Sequence, residues 1–123
     1  MSTKVRKEGE KESAQTTETL RTDYELSLPI FARMTGVPEA TLASWEEGTD
    51  QLDSAALARI ERIAGILHGL TRVMHLSFIP TWLEQPNDAC KELGARAPLD
   101  LIERGDYAEV EGMVFYLESG APN

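Results

Sequence analysis

The stretch from Ser54 to Leu76 carries apolar residues at intervals of three and four, and this spacing restricts the fold more than any other feature of the chain. The apolar stripe consists of Leu57, Ile60, Ile63, Ala64, Leu67, Leu70 and Met74. Such a stripe occupies one face of an amphipathic helix, and that face must be buried against other elements. Because no segment shows a convincing strand-like alternation, we predict an all-α fold with this helix as the backbone of its core.

Prolines and glycines divide the rest of the chain into shorter predicted helices. Pro is favoured in the first turn of a helix, and Gly is favoured just after the last turn. These signals predict helices over Leu28–Gly36, Pro38–Glu47, Pro80–Gln85, Asp88–Leu93, Pro98–Arg104 and Asp106–Gly120. Asp106 and Glu109 at the start of the last helix have the spacing of a capping box.

Five positions between Leu28 and Trp45 have the spacing of a helix-turn-helix: Ala32, Gly36, Val37, Leu42 and Trp45. A small residue lets two helices approach, Gly permits the tight turn, and the three larger residues fill the wedge behind the second helix. The pattern favours a DNA-reading motif, and a plain helical hairpin is the alternative. The Trp45-Glu46-Glu47-Gly48 stretch resembles the ending common in the Xre/Cro-repressor type of helix-turn-helix, a resemblance that spans residues 21–75.

The second helix of this motif lacks Lys and Arg, although phosphate neutralisation supplies most non-specific affinity for DNA. We expect Glu46 and Glu47 to form a solvated helix end, and Arg21 and the tail lysines to help bind phosphate. The candidate DNA-binding residues are Arg33, Pro38, Glu39, Thr41 and Ser44. A dimer or a basic partner protein would supply further positive charge.

The net charge of −9 excludes a strongly basic nucleic-acid coat protein. Residues 1–19 are charge-balanced and almost free of apolar residues, so we predict a disordered tail there and an excess of acid in the folded part. The single Cys90 cannot form an internal disulfide, which favours the cytoplasm. No apolar run approaches the roughly 18 residues that a membrane span needs.

From Phe78 onward an ordered set of short motifs follows: Trp82-Leu83, Pro86-Asn87, Pro98-Leu99-Asp100-Leu101, Gly105, Val110 and Gly120. This order resembles the toxin-binding domain of the Xre/MbcA/ParS antitoxins. The chain departs from the family at Asp88-Ala89-Cys90, where many members have Leu and Gly. Together with the helix-turn-helix, the resemblance implies an Xre-like module with the core helix over 20–76 and a toxin-binding module over 77–123, after the tail that composition predicts over residues 1–19.

The resemblance implies the antitoxin of a type II toxin–antitoxin pair whose partner is a RES-type toxin that degrades NAD. It also implies a homodimer that binds operator DNA and represses its own promoter. An acidic inhibitor complements the cationic cleft of an enzyme that binds a phosphate-bearing dinucleotide. The residues carried over as toxin-binding are Trp82, Pro86, Asn87, Pro98, Leu99, Asp100, Leu117, Gly120 and Asn123.

Most of these residues also have a purely structural interpretation. Trp82 suits the core, and Asn87 suits an N-cap. Asp100 suits the first turn of a helix, where its negative charge interacts favourably with the positive end of the helix dipole. His68 and His75 are too far apart for a usual metal pair, and no catalytic or cofactor-binding group stands out. We therefore predict a non-enzyme without cofactor or metal. The alternative function is that of a solitary helix-turn-helix regulator without a toxin.

Overall fold

Helices account for all the regular secondary structure of residues 17–120, the part of the chain that the computed structural model describes. Residues 17–23 are helical and are called α1. The helices that follow are α2 (Leu28–Thr35), α3 (Glu39–Glu47), α4 (Ser54–Leu70), α5 (Ile79–Glu84), α6 (Asp88–Lys91), α7 (Pro98–Glu103) and α8 (Tyr107–Glu118), with a 3-10 turn at Leu76–Phe78 before α5. The predicted all-α fold class is thereby confirmed.

The core helix α4 is shorter than predicted, because it ends at Leu70 rather than at Leu76. Thr71 bonds back to the carbonyl of His68 through its hydroxyl, and His75 has extended backbone dihedrals. The ring Nδ1 of His75 accepts the N–H of Ser77 at 3.1 Å and so caps the 3-10 turn. Leu57, expected in the apolar stripe, is instead 36% exposed.

Local capping signals explain most of the helix boundaries. Ser27 Oγ accepts the N–H of Ile30 at 3.3 Å, and Asn87 Oδ1 accepts the N–H of Ala89 at 2.9 Å. Gly36 ends α2 with φ of 76°, a left-handed conformation that only Gly adopts readily. The capping box expected at Asp106 is wrong: its carboxylate makes no cap bond to α8 and accepts from Nε of Arg104 at 3.1 Å.

One apolar core joins the two predicted modules. Helix α2 packs against α7, and α4 packs against α8. The fully buried side chains come from both sides of this contact and include Phe31, Met34, Leu42, Ile60, Ile63, Ile66, Leu67, Leu70, Leu99 and Leu101. The C-terminal module therefore completes the hydrophobic core of the N-terminal one.

The start of the described chain differs from the predicted tail. Residues 17–19 belong to α1, while residues 1–16 lie outside the described part. Arg21 on α1 binds Glu46 on α3 through two hydrogen bonds of 2.8 Å. The Glu46 side chain is only 10% exposed, so the prediction that it is a solvated helix end is wrong. Its ion pair with Arg21 instead holds α1 against α3.

The close contact of α4 with α8 depends on Gly69. A Cβ built at Gly69 would lie 2.8 Å from Cγ1 of Val114, a β-branched side chain with little freedom to move. At Gly65, one turn earlier on the same helix, a Cβ would meet no atom within 4 Å. Position 65 therefore has room for a side chain, whereas a side chain at position 69 would clash with Val114.

We expect Gly69→Ala to lower the free energy of unfolding by about 1 kcal/mol or more through overpacking. Gly65→Ala is the matched control and should raise the free energy of unfolding by roughly 0.5–1 kcal/mol, because Ala has the higher helix propensity. Urea unfolding of both variants checks this. Equal stabilisation by the two substitutions would show that α4 and α8 are not in such close contact.

Candidate partner-binding and DNA-binding surfaces

Arg33 joins the two modules by ion pairs. Its guanidinium donates to Asp100 Oδ1 at 2.7 Å and to both carboxylate oxygens of Glu103, at 3.0 and 3.1 Å. The other oxygen of Asp100 accepts the backbone N–H groups of Arg96 and Ala97, each at 3.1 Å. The start of α7 is thus bound both to its own preceding loop and to α2.

This cluster shifts the pKa values of its members. The hydrogen bond from Arg33 lowers the pKa of Glu103, against a smaller opposing effect of burial. Burial acts to raise the pKa of Asp100, but the bonds from Arg33, Ala97 and Arg96 together outweigh it and lower that pKa. Both carboxylates are therefore held in the charged form that Arg33 needs.

The predicted DNA-binding residues on α3 and its preceding turn lie at the surface. Pro38 and Glu39 are exposed, and Thr41 and Ser44 are half-buried. The hydroxyl of Ser44 donates to the carbonyl of Ala40 at 3.0 Å. Arg33, predicted as a DNA contact, is instead bound to carboxylates in this structure, and its contact with DNA stays a prediction.

The basic side chains near α3 are bonded to other groups of the protein. Arg21 and Arg33 are the only bases of residues 17–53, and both are bound to carboxylates. Arg59 on α4 lies 5.6 Å from the ring centre of Tyr107 and donates to the carbonyl of Glu103 at 3.3 Å. The described part of the chain therefore offers α3 little free positive charge for DNA phosphates.

The structure separates the predicted toxin-binding residues into three groups. Pro98 and Leu99 are buried, and Trp82 packs against the core. Asn87 caps α6 and Asp100 binds Arg33, so both have structural roles. The remaining residues lie nearer the surface or beyond the described range: Pro86 and Gly120 are exposed, Leu117 is half-buried, and Asn123 lies outside the described residues.

The outer face of α8 is a surface that sequence reasoning missed. Tyr107, Val110 and Val114 face the core. Phe115 is 71% exposed and Tyr116 is 50% exposed. At roughly 100° per residue, both aromatics fall on the side of the helix away from the core. Two adjacent aromatics left over after the core-facing residues were assigned could have revealed this second apolar face.

Tyr116 lines a groove between α6 and α8 that we call the acidic groove. Its lining residues are Ala89, Glu92, Leu93, Ala108, Glu109, Gly112, Met113 and Tyr116, around a volume of about 460 Å³. Leu93 is 39% exposed, although a side chain of this kind is normally buried. Two glutamates and no base line this groove. A groove with exposed apolar side chains and two glutamates suits a partner that presents an apolar group surrounded by positive charge.

The described residues contain no cluster suited to metal binding. Within residues 17–120, no group of three His, Cys, Asp or Glu side chains converges on a point. Cys90 is fully buried, and burial raises the pKa of its thiol, which keeps it protonated and unreactive. Nor is any helix of this range long and apolar enough to cross a membrane.

No protein-family model and no curated protein matches the sequence. Among solved structures, the fold matches a chain in the crystal structure of the M. tuberculosis MbcT-MbcA toxin-antitoxin complex. The TM-score is 0.71 at 20% sequence identity, and the match covers 89% of this chain and 96% of that chain. The fold is that of a chain in a toxin–antitoxin complex. Because neither module alone could supply that coverage, the likeness includes both modules and their packing.

Arg33→Gln tests the link between the modules. We expect it to lower the free energy of unfolding by about 1 kcal/mol at neutral pH, as for a partly exposed ion-pair network. The lowered pKa values mean that this stabilisation is complete above the ordinary values of 3.8 for Asp100 and 4.5 for Glu103, and is lost as the pH falls below them. Urea unfolding of wild type and variant across this pH range measures the difference.

Arg72→Gln is the control for this experiment. Arg72 pairs with Glu118 at 3.3 Å and its side chain is 62% exposed, so its loss should change stability little at any pH. A stability difference for Arg33→Gln that persists below the titration of both carboxylates would contradict the assignment of that difference to the ion pairs.

Proposed function

We propose that this chain is the antitoxin of a type II toxin–antitoxin pair, acting in the cytoplasm as a non-enzymatic inhibitor. In this proposal it binds and blocks a RES-type toxin that degrades NAD, and it represses its own operon by binding operator DNA as a homodimer. The observation that carries the proposal is the acidic groove, an exposed apolar surface on a chain with the fold of a toxin–antitoxin component.

The apolar character of the groove supports a protein partner. A surface helix of a soluble protein has one apolar stripe, whereas α8 has a core-facing stripe and two exposed aromatics besides. Exposed apolar patches framed by polar residues mark interaction sites, and aromatic side chains are enriched in protein interfaces. We therefore place the toxin on the side of α8 that carries Tyr116, with Leu93 on α6 as a second contact.

The charge of the groove supports a basic partner. An enzyme that binds NAD has to accommodate its pyrophosphate, which favours positive charge in the cleft. Glu92 and Glu109 border the groove, and the chain as a whole carries a net charge of −9. Complementary charge accelerates encounter and disfavours wrong partners.

Repression requires positive charge that the described N-terminal module does not provide. Arg21 and Arg33 are bound to carboxylates, and α3 has no base. We propose that additional bases come from the N-terminal segment, which contains Lys4, Arg6, Lys7 and Lys11, and from the bound toxin. A homodimer would present two copies of α3 to the operator.

Leu93→Ser and Tyr116→Ala test toxin binding. We expect each to weaken binding of a RES-type protein encoded beside this chain by about tenfold or more, as for residues central to an interface. Isothermal titration with the purified toxin measures the affinity, and cellular NAD on toxin induction measures the inhibition. Point substitutions are preferred to removal of residues 78–123, because that truncation would strip α2 and α4 of their shared core.

Leu57→Ser is the matched control for Leu93→Ser. Leu57 is 36% exposed, close to the 39% of Leu93, but lies on α4 outside the lining of the groove. It should leave both toxin affinity and NAD protection unchanged. Undiminished binding by both groove variants would place the toxin elsewhere, and no binding by wild type would favour a solitary regulator.

The shortage of free bases near α3 predicts that operator binding is tighter with toxin bound. Each additional phosphate contact steepens the dependence of the binding constant on salt. Titrations of operator DNA at several salt concentrations should therefore give a higher affinity and a steeper slope for the complex than for the antitoxin alone. Equal affinities and slopes would contradict a contribution of the toxin to DNA binding.

A further inference from the structure

Two basic side chains of residues 17–120 have no partner within that range. The other basic side chains there each donate to a carboxylate or to a backbone carbonyl: Arg21, Arg33, Arg59, Arg62, Arg72 and Arg104. The side chains of Lys91 and Arg96 form no hydrogen bond or ion pair with any described residue, and both are exposed. Their charge is therefore free to meet another molecule.

The two free bases line the same groove, which we call the basic groove. Its lining residues are Pro86, Asn87, Asp88, Lys91, Gly94, Ala95 and Arg96, around a volume of about 550 Å³. Asp88 is the one acid among these lining residues. The basic groove is thus a positive region on a chain whose net charge is −9.

Hydrogen bonds hold the backbone around the basic groove in place. The N–H of Asn87 donates to the carbonyl of Arg96 at 2.9 Å, which closes the loop that contains α6. The N–H of Arg96 donates to Asp100 Oδ2 at 3.1 Å, and the guanidinium of Arg104 donates to the carbonyl of Gly94 at 3.4 Å. The backbone of the groove is therefore ordered before a partner binds, which lowers the entropic cost of binding there.

Helix α6 separates the basic groove from the acidic groove. Asp88 and Lys91 line the basic groove, whereas Ala89 and Glu92 line the acidic groove. Residues three apart share one face of a helix, and neighbouring residues project about 100° apart. Cys90, between these two faces, is fully buried. Two grooves of opposite charge thus lie on either side of one short helix.

A protein that covers the acidic groove reaches the basic groove as well. A specific interface covers about 800 Å² of each partner, whereas a helix with its side chains is only about 10–12 Å wide. A toxin seated on Leu93 and Tyr116 therefore extends across α6 and meets Lys91 and Arg96. An uncompensated base in an interface weakens binding unless the partner supplies a negative charge.

We propose that the basic groove receives an acidic side chain of the same toxin whose basic surface covers the acidic groove, an assignment that rests on the proposed function. The guanidinium of Arg96 can donate to both oxygens of a carboxylate, and the ammonium of Lys91 adds a second positive charge. A toxin turned the other way would bring like charges together in both grooves. Lys91 and Arg96 thereby select a toxin that has an acidic group beside its basic surface, and they set its orientation.

Charge reversal in the basic groove tests the proposal. Lys91→Glu and Arg96→Glu should each weaken binding of the RES-type toxin by about tenfold or more, and each should slow association most at low salt. Because both side chains are exposed and without a partner among the described residues, the variants should remain folded, which circular dichroism checks. Surface plasmon resonance at several salt concentrations measures the association and dissociation rates.

Arg72→Glu is the matched control, because it changes the net charge by the same amount on an exposed side chain outside both grooves. It should leave the affinity for the toxin nearly unchanged. An equal loss of affinity in the control would reduce the effect to net charge and overturn the proposal. Undiminished toxin binding by both basic-groove variants would also overturn it, and would leave the proposed function standing. A wild type that binds no RES-type toxin would reject the proposed function and this second contact together.

Discussion

The packing of the C-terminal module onto α2 and α4 is the constraint on which the rest of the structure depends. Leu99 and Leu101 on α7 are fully buried in the same core as Phe31 and Met34 on α2. A chain of 123 residues has little apolar surface to divide between two independent cores. Sharing one core makes a single folding unit of what the motifs present as two modules. The outer face of α8 and helix α3 then have a fixed position relative to each other.

The packing of the two modules onto one core also explains why the few basic residues are bound to carboxylates of the protein. Arg21 fastens α1 to α3 through the largely buried Glu46, and Arg33 fastens α2 to α7 through the half-buried Asp100 and the exposed Glu103. Pairs of this kind are specific in geometry because the guanidinium can donate to two oxygens at once. Their use in the fold leaves little free positive charge around α3 in the described part of the chain. In the proposed function, positive charge for the operator therefore comes from outside residues 17–120, and the affinity for DNA depends on what else is bound.

The local part of the fold could be predicted from the sequence, whereas the long-range contacts could not. Caps at Ser27 and Asn87 and the turn at Gly36 follow from preferences within a few residues. The ion pair between Arg33 and Glu103 could not be predicted, because the two residues are 70 positions apart and no spacing rule connects them. The contact of Glu46 with Arg21, 25 residues away, could not be predicted for the same reason. The outer face of α8 does not stand out in the sequence, because Tyr107, Val110 and Val114 already supply the one apolar stripe that a surface helix needs.

Phe115 and Tyr116 leave two different surfaces exposed on α8, because neighbouring residues of a helix project about 100° apart. Phe115 lines a groove between α8 and α4, whereas Tyr116 lines the acidic groove between α8 and α6. Tyr107, Val110 and Val114 meanwhile face the core. The one helix therefore completes the core on one side and presents aromatic side chains to solvent on the others, so a substitution at Phe115 or Tyr116 can change the surface of the protein without changing its core.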